Sequence, residues 1–293
     1  MHTPNAVLIP GQGSQTPGLL SPWLDQPGAA ETLAEWAAVT ELDLVRLGTT
    51  GNADEIRDTA VAQPLLTATA LLSARNLTGT PVSVVCGHSV GELTALALAG
   101  VIEPIEAVWL AAGRGRAMAA SAAEAPTGLV ALLGGDAEQV LRAVADLGLE
   151  IATVNVPGQL VVGGLQQLLD QVLAAPPAGA RARPLAAAGA FHTSAMASAV
   201  PAMSALVAEL TPRDPGCPVV ANADGKALTS GRELVDRLVA QLTGPVRFDA
   251  CLATIAGFNP TNVVELAPSG TLTAIAKRAI VGASFTAPEL VPA

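Results

Sequence analysis

Apolar residues along this chain alternate between short continuous runs and stripes at helical spacing. Ala6 to Ile9 is a short run closed by Pro10 and Gly11, the pattern of a buried strand entering a glycine-bearing loop, Gly11-Gln12-Gly13-Ser14-Gln15. Thr59 to Ala74 reads as a helix with Pro64 as an expected kink, Val82 to Cys86 as a second buried strand, and Glu92 to Ala99 as a helix stopped by Gly100. Pro104 suits the first position of a further helix running through Trp109 and Arg114 towards Ala123, which Gly113 and Gly115 weaken.

After Pro126 the texture changes. Strands are predicted at Thr127 to Leu133, Ile151 to Asn155, Leu160 to Val162 and Arg183 to Ala187, with helices at Asp136 to Leu147 and Leu165 to Ala174. That β-α-β-β-α-β order matches a ferredoxin-like unit, which places an inserted small subdomain at residues 126–188. Residues 1–125 and 189–293 then form one large domain. In its second part, helices from Ser194, Arg232 to Leu242, Asp249 to Ala256 and Thr271 to Ala279 alternate with strands at Val219 to Asn222 and Val263 to Leu266, as a parallel sheet requires.

Composition narrows the function classes. Of 293 residues 51% are apolar and 14% charged, so the chain has ample surface to bury and is not disordered. Aromatics make up 2%, with no Tyr, and the net charge is -10, which argues against a nucleic-acid partner on two counts: no stacking platforms and no basic surface. Cys86, Cys217 and Cys251 lack the paired spacing of a disulfide framework or zinc site, so free buried thiols and no metal are expected. No leader pattern or long apolar span is present, and a cytoplasmic protein without membrane attachment is the expectation.

The chemistry concentrates at Gly87-His88-Ser89-Val90-Gly91. It follows one predicted strand and opens a helix, the context in which G-x-S-x-G forms a sharp turn that projects the serine oxygen from the sheet. A serine hydroxyl needs an adjacent base, and the chain has three histidines. His2 lies in the N-terminal tail, and His88 is too close in sequence for its ring to reach back to Ser89. His192 remains, in the loop Gly189-Ala190-Phe191-His192-Thr193. No carboxylate stands out as a third member, leaving a backbone carbonyl as the alternative orienting group. For Arg114 the residues alone leave a buried anion-gripping role and a solvated one equally open.

Several motifs occur together in one order: Gly11-Gln12-Gly13-Ser14-Gln15; Gly87-His88-Ser89-Val90-Gly91-Glu92; Arg114-Gly115-x-x-Met118; Asn155 with Pro157-Gly158-Gln159; and Gly189-Ala190-Phe191-His192. Gln241-Leu242-x-x-Pro245-Val246 and Pro268-Ser269-Gly270-Thr271-Leu272 extend the set. In this combination the chain resembles the malonyl-CoA:acyl carrier protein transacylases over essentially its whole length. The resemblance implies an α/β-hydrolase-like core with a ferredoxin-like insertion, Ser89 as nucleophile, His192 as base, and Gln241 as the residue whose main-chain carbonyl steadies the histidine. It also implies an oxyanion hole from the backbone N–H groups of Gln12 and Val90, and a malonyl carboxylate gripped by Arg114, with Met118 and Asn155 at the substrate site. Phe191 departs from members that carry Ser before the histidine and is expected to narrow the pocket.

The implied activity is a ping-pong transfer of malonyl from malonyl-CoA to the phosphopantetheine thiol of acyl carrier protein, for fatty-acid or polyketide synthesis. No cofactor is expected beyond the coenzyme A thioester, which is a substrate, and a monomer is the expected state. Because both partners are anionic and the chain is acidic, a local basic rim is expected from Arg116, Arg181, Arg183, Arg247, Lys277 and Arg278. Two other readings compete: a serine hydrolase that delivers water to the same acyl-serine, and an inactive module that merely docks carrier proteins.

Overall fold

The computed structural model describes residues 5–77 and 81–289, which leaves His2 outside the described residues. Among the described residues eleven strands form two sheets: β1 (Asn5–Ile9), β2 (Val82–Gly87), β3 (Thr127–Gly134), β4 (Glu150–Val156), β5 (Gln159–Leu165), β6 (Ala180–Pro184), β7 (Val219–Val220), β8 (Ala227–Leu228), β9 (Val246–Arg247), β10 (Asn262–Glu265) and β11 (Ser284–Thr286). The larger sheet runs β11-β10-β1-β2-β7-β8. Its pairs are parallel as expected, except that β8 returns antiparallel to β7 at one edge.

Alternation along the central strands explains why the two layers of helices exist. Val7, Ile9 and Val85 point into a core shared with the helices Ala29–Thr40, Thr59–Ala74, Pro104–Ala122 and Val200–Ala208. Ala6, Leu8, Val84 and Cys86 point the other way, onto the helices Phe248–Gly257 and Thr271–Ala276. Strands buried on both faces read as unbroken apolar runs, which is how β1 and β2 are written in the sequence.

The helix Pro104–Ala122 starts as its proline suggests, with a capping box between Glu103 and Glu106. Gly113 and Gly115 do not weaken it without purpose. A Cβ on Gly115 would stand 2.6 Å from the Thr59 carbonyl oxygen, and one on Gly113 would stand 2.4 Å from a Leu206 methyl, so the two glycines admit close neighbours on either side. Pro64 lies within one continuous helix, Thr59–Ala74, rather than dividing it.

The smaller sheet runs β6-β3-β5-β4-β9. The β-α-β-β-α-β order is as predicted, with the helices Ala137–Asp146 and Gln166–Ala174 packed on one face. Its first four strands pair antiparallel, and β9, from the C-terminal half, joins β4 in parallel, making this sheet mixed.

Several expected boundaries move. The last strand of this unit lies at Ala180–Pro184 instead of Arg183 to Ala187, because Ala180 and Ala182 supply the side chains that pack onto its core. The helix expected from Ser194 begins as a tight 3-10 turn, Ser194–Ala199. The helix at Thr271 ends at Ala276, and the strand at Val219 ends at Val220, freeing Asn222. The helices Ala29–Thr40 and Leu44–Thr49 carry no strong sequence pattern and were not predicted. Cys86 and Cys251 are buried thiols as expected, whereas Cys217 is half-buried.

Candidate active site

The serine turn is built by exclusion of side chains. Strand β2 ends at Gly87, where a Cβ would stand 2.0 Å from the Gly91 carbonyl carbon, and a Cβ on Gly91 would stand 2.5 Å from the Ile9 carbonyl oxygen. The turn that joins them holds Ser89 at φ 55°, a left-handed conformation that L side chains seldom adopt. The neighbouring Gly11 loop presses against the same turn, since a Cβ on Gly11 would lie 2.5 Å from the His88 carbonyl oxygen.

His192 also has a positive φ, 63°, and its ring reaches the serine: Nε2 lies 2.7 Å from Ser89 Oγ. Its Nδ1 lies 2.8 Å from the main-chain carbonyl oxygen of Gln241. A carbonyl only accepts, so Nδ1 carries the proton and Nε2 is left to accept from the serine hydroxyl. Burial, reinforced by the positive charge of Arg114, lowers the His192 pKa to about 3, so the ring is neutral at neutral pH.

Arg114 is 1% exposed yet, among the described residues, pairs with no carboxylate. Its Nη1 donates to Gln63 Oε1 at 2.7 Å, and its Nη2 to Gln241 Oε1 at 2.8 Å and to Ser89 Oγ at 3.3 Å. Burial lowers its pKa to about 10, opposed by the charge of Glu92, and it remains a cation. A buried guanidinium with only neutral hydrogen-bond partners is costly unless an anion completes its environment.

Of the predicted residues, Ser89, His192, Arg114 and Gln241 are joined by direct hydrogen bonds. Gln12 is linked to Arg114 through Gln63, whose Nε2 lies 3.5 Å from Gln12 Oε1 and 3.5 Å from Met118 Sδ. Asn155, on β4, reaches His88 instead of Ser89, with Oδ1 3.4 Å from Nε2, and His88 stands edge-on to Phe248. Val90 and Phe191, next in sequence to Ser89 and His192, are packed in the main core. Of the expected basic rim, Arg247 is engaged by Asp249, whereas Arg181 and Arg183 are exposed on edge strand β6.

Three residues were not predicted. Gln63 lies within an apolar helix, where nothing distinguishes it from an ordinary polar interruption. Asn222 accepts the Ser89 N–H at 2.7 Å and donates to the Gly87 carbonyl oxygen at 2.6 Å, bracing the turn from both ends. Glu92, inside the quoted motif, is buried beneath the turn, and its place in the pattern was the available signal.

Residues 7–292 match the acyl transferase domain family. The chain belongs to that family. It is therefore an acyltransferase, as the motif resemblance implied. It is 49% identical over 282 residues to the malonyl CoA-acyl carrier protein transacylase of Mycobacterium tuberculosis, spanning 94% of this chain and 93% of that one. The crystal structure of MCAT from the same organism superposes with a TM-score of 0.94 at 49% identity, covering 97% of this acyltransferase and 96% of that chain. A malonyl-transacylase solved in complex with its type II PKS acyl-carrier protein superposes with a TM-score of 0.88 at 30% identity, covering 97% and 95% of the two chains. The mixed α/β architecture with two sheets is thus that of its relatives. Among the described residues no helix is long and apolar enough to cross a membrane.

Proposed function

We propose that this acyltransferase moves a malonyl group from malonyl-CoA to the phosphopantetheine thiol of an acyl carrier protein, through an ester on Ser89. The observation that carries this reading is the buried Arg114 guanidinium beside Ser89 Oγ, held by neutral amides and with no carboxylate partner among the described residues. A malonyl thioester brings a free carboxylate, and a guanidinium can grip it with two parallel hydrogen bonds while the thioester carbonyl meets the serine. The names of the relatives support the same donor and acceptor.

In the first half-reaction His192 Nε2 takes the Ser89 proton as Oγ attacks the thioester carbonyl. The negative tetrahedral oxygen is met by the backbone N–H groups of Gln12 and Val90, neither of which donates to another group among the described residues. The imidazolium returns its proton to the leaving coenzyme A sulfur. In the second half-reaction the carrier thiol enters, gives its proton to His192 and attacks the ester carbonyl, and His192 passes that proton to Ser89 Oγ as it leaves. Gln241 holds the ring through its main chain in both steps. No step in this scheme calls on a cofactor beyond the coenzyme A thioester, and the proposal keeps the sequence-based expectations of a monomer and of a cytoplasmic location. Exposed Arg181 and Arg183 are candidates for meeting the acidic partner.

The finer architecture is part of the same proposal: residues 1–125 and 189–293 as an α/β-hydrolase-like core, and 126–188 as a ferredoxin-like insertion. The strand order β6-β3-β5-β4 with two helices on one face supports the second assignment, and the serine turn at the end of a parallel strand supports the first.

Intact-mass measurement after mixing with malonyl-, methylmalonyl- or acetyl-CoA tests the function. The wild type is expected to gain one malonyl group on Ser89 and pass it to carrier protein. Release of free malonate as fast as transfer would replace the transferase reading with a hydrolase, and a wild type that takes up no malonyl would favour a docking module.

A further inference from the structure

One ionisable group beneath the Ser89 turn has no part in the proposed chemistry. Glu92 stands in the first turn of the helix Gly91–Leu98, a place where a carboxylate usually meets solvent and the positive end of the helix dipole. Here it is 6% exposed and turned inward. Oε1 accepts the Asn222 backbone N–H at 2.6 Å, which pins the carboxylate, and Oε2 accepts from Gln241 Nε2. No cation pairs with it among the described residues, and burial pushes its pKa up to about 7, opposed by the Asn222 N–H and by the charge of Arg114.

The chemistry of its partners gives this buried acid a task. The Gln241 carboxamide lies between Glu92 and Arg114. A carboxylate only accepts and a guanidinium only donates, so the amide must turn its NH₂ to Glu92 and its oxygen to Arg114. Reversed, it would set oxygen against oxygen and N–H against N–H. Two neutral acceptors share the NH₂ edge, the Ser89 carbonyl oxygen at 3.1 Å and Asn222 Oδ1 at 3.3 Å, but Glu92 supplies the closest contact and the charge. The same Gln241 holds His192 Nδ1 through its main-chain carbonyl. A single residue from the C-terminal half therefore orients both the base and the guanidinium, and Glu92 orients that residue.

We propose that Glu92 is a positioning residue for acyl transfer: its carboxylate fixes the Gln241 side chain, and through it the placement of His192 and Arg114 against Ser89. The inference rests on the roles given to Ser89, His192 and Arg114 above.

A double-mutant cycle in the full chain tests it, using Glu92→Gln, Gln241→Met and the pair. Gln241→Met keeps the main-chain carbonyl and removes the carboxamide. Two rates are read: modification of Ser89 by a neutral fluorophosphonate, which needs only the nucleophile and its base, and loading from malonyl-CoA relative to acetyl-CoA. Glu92→Gln is expected to slow fluorophosphonate labelling ~10-fold and to lower the malonyl-to-acetyl ratio by a similar factor, since small misplacements at a reacting centre cost up to ~100-fold. In the Gln241→Met background the same change is expected to alter either rate less than ~2-fold, because the group it acts through is gone.

Wild-type rates in Glu92→Gln, or an equal penalty with and without the carboxamide, would overturn the proposal. Should Glu92→Gln not fold, Glu92→Asp shortens the carboxylate's reach and is expected to give a partial loss on both readouts; no loss there overturns it as well. If wild-type protein takes no malonyl, the substrate assignment fails, and the fluorophosphonate arm still decides the role of Glu92.

Discussion

The two sheets of this molecule use the same side-chain alternation to opposite ends. The larger sheet is buried on both faces, so its central strands are mostly apolar, with buried Asn5 and Glu265 kept to strand ends, and the candidate chemistry stands where β2 leaves the sheet at Ser89. The smaller sheet has one face packed on its own helices and the other half-buried. Its free face is spent on support. Thr127 Oγ1 accepts the Ala190 N–H at 3.1 Å, a Cβ on Gly163 would meet Leu129, Thr193 and Ala190 side chains within 3.1 Å, and Asn155 reaches His88. One sheet thus presents Ser89, and the other packs the loop that brings His192 to it.

If that division is right, damage at the end of β2 should remove activity, and damage on the smaller sheet should only blunt it. Ser89→Ala is expected to abolish acyl loading, by at least ~10⁴-fold, with His192→Ala nearly as severe and the double variant little worse, because the two act as a unit. Loading followed by intact mass checks this. Comparable residual activity in Ser89→Ala and Asn155→Ala would break the comparison.

Next in size is Arg114→Ala. Malonyl loading should fall ~100- to 1000-fold while acetyl loading changes a few-fold, as when a carboxylate loses its bidentate partner. The same variant carries a pH prediction. In the proposed mechanism His192 acts unprotonated, and its pKa of about 3 leaves it so through the physiological range, so the wild type should show no acid limb from His192 between about pH 5 and 8. Removing the neighbouring cation takes away one cause of the lowering, so the acid limb of acetyl loading should move to higher pH in Arg114→Ala.

Glycines give a matched pair for the two sheets. At Gly87 a Cβ would meet backbone at 2.0 Å, which cannot yield without displacing the turn; at Gly163 the nearest atoms are side-chain carbons at 2.9 to 3.1 Å. Gly87→Ala should cost ~3 kcal/mol or more in stability with loss of loading, and Gly163→Ala ~1 kcal/mol with activity largely kept, as overpacking against backbone and against side chains differ. Thermal unfolding and loading on the same samples compare them. Smallest is Asn155→Ala, which removes one long hydrogen bond to His88 and should cost about 1 kcal/mol or less and a few-fold in rate.

Much of this was legible before any coordinates. The serine turn, the strand before it and the helix after it follow from glycine spacing and apolar runs, and the small sheet's element order follows from alternation. Where boundaries slipped, the signal was weak. Ala180 to Pro184 has alternating alanines and arginines, whose apolar contrast is slight, and the helices before Thr59 have no clear stripe. Asp58 caps the helix Thr59–Ala74, its side chain accepting the Ala60 N–H, and it was not predicted.

The sequence by itself determined the family, the strand–turn–helix context of Ser89 and, by elimination, the histidine that meets it, because these depend on local spacing and on how few residues of one type exist. Tertiary structure alone decided that Gln63 holds Arg114, that Asn222 braces the turn, and that Glu92 faces inward to Gln241. Those partners lie 51, 133 and 149 residues apart. A hydrogen bond between such positions leaves no period in the chain, and a lone Gln, Asn or Glu reads as surface until folding closes the space around it and water is no longer there to satisfy it.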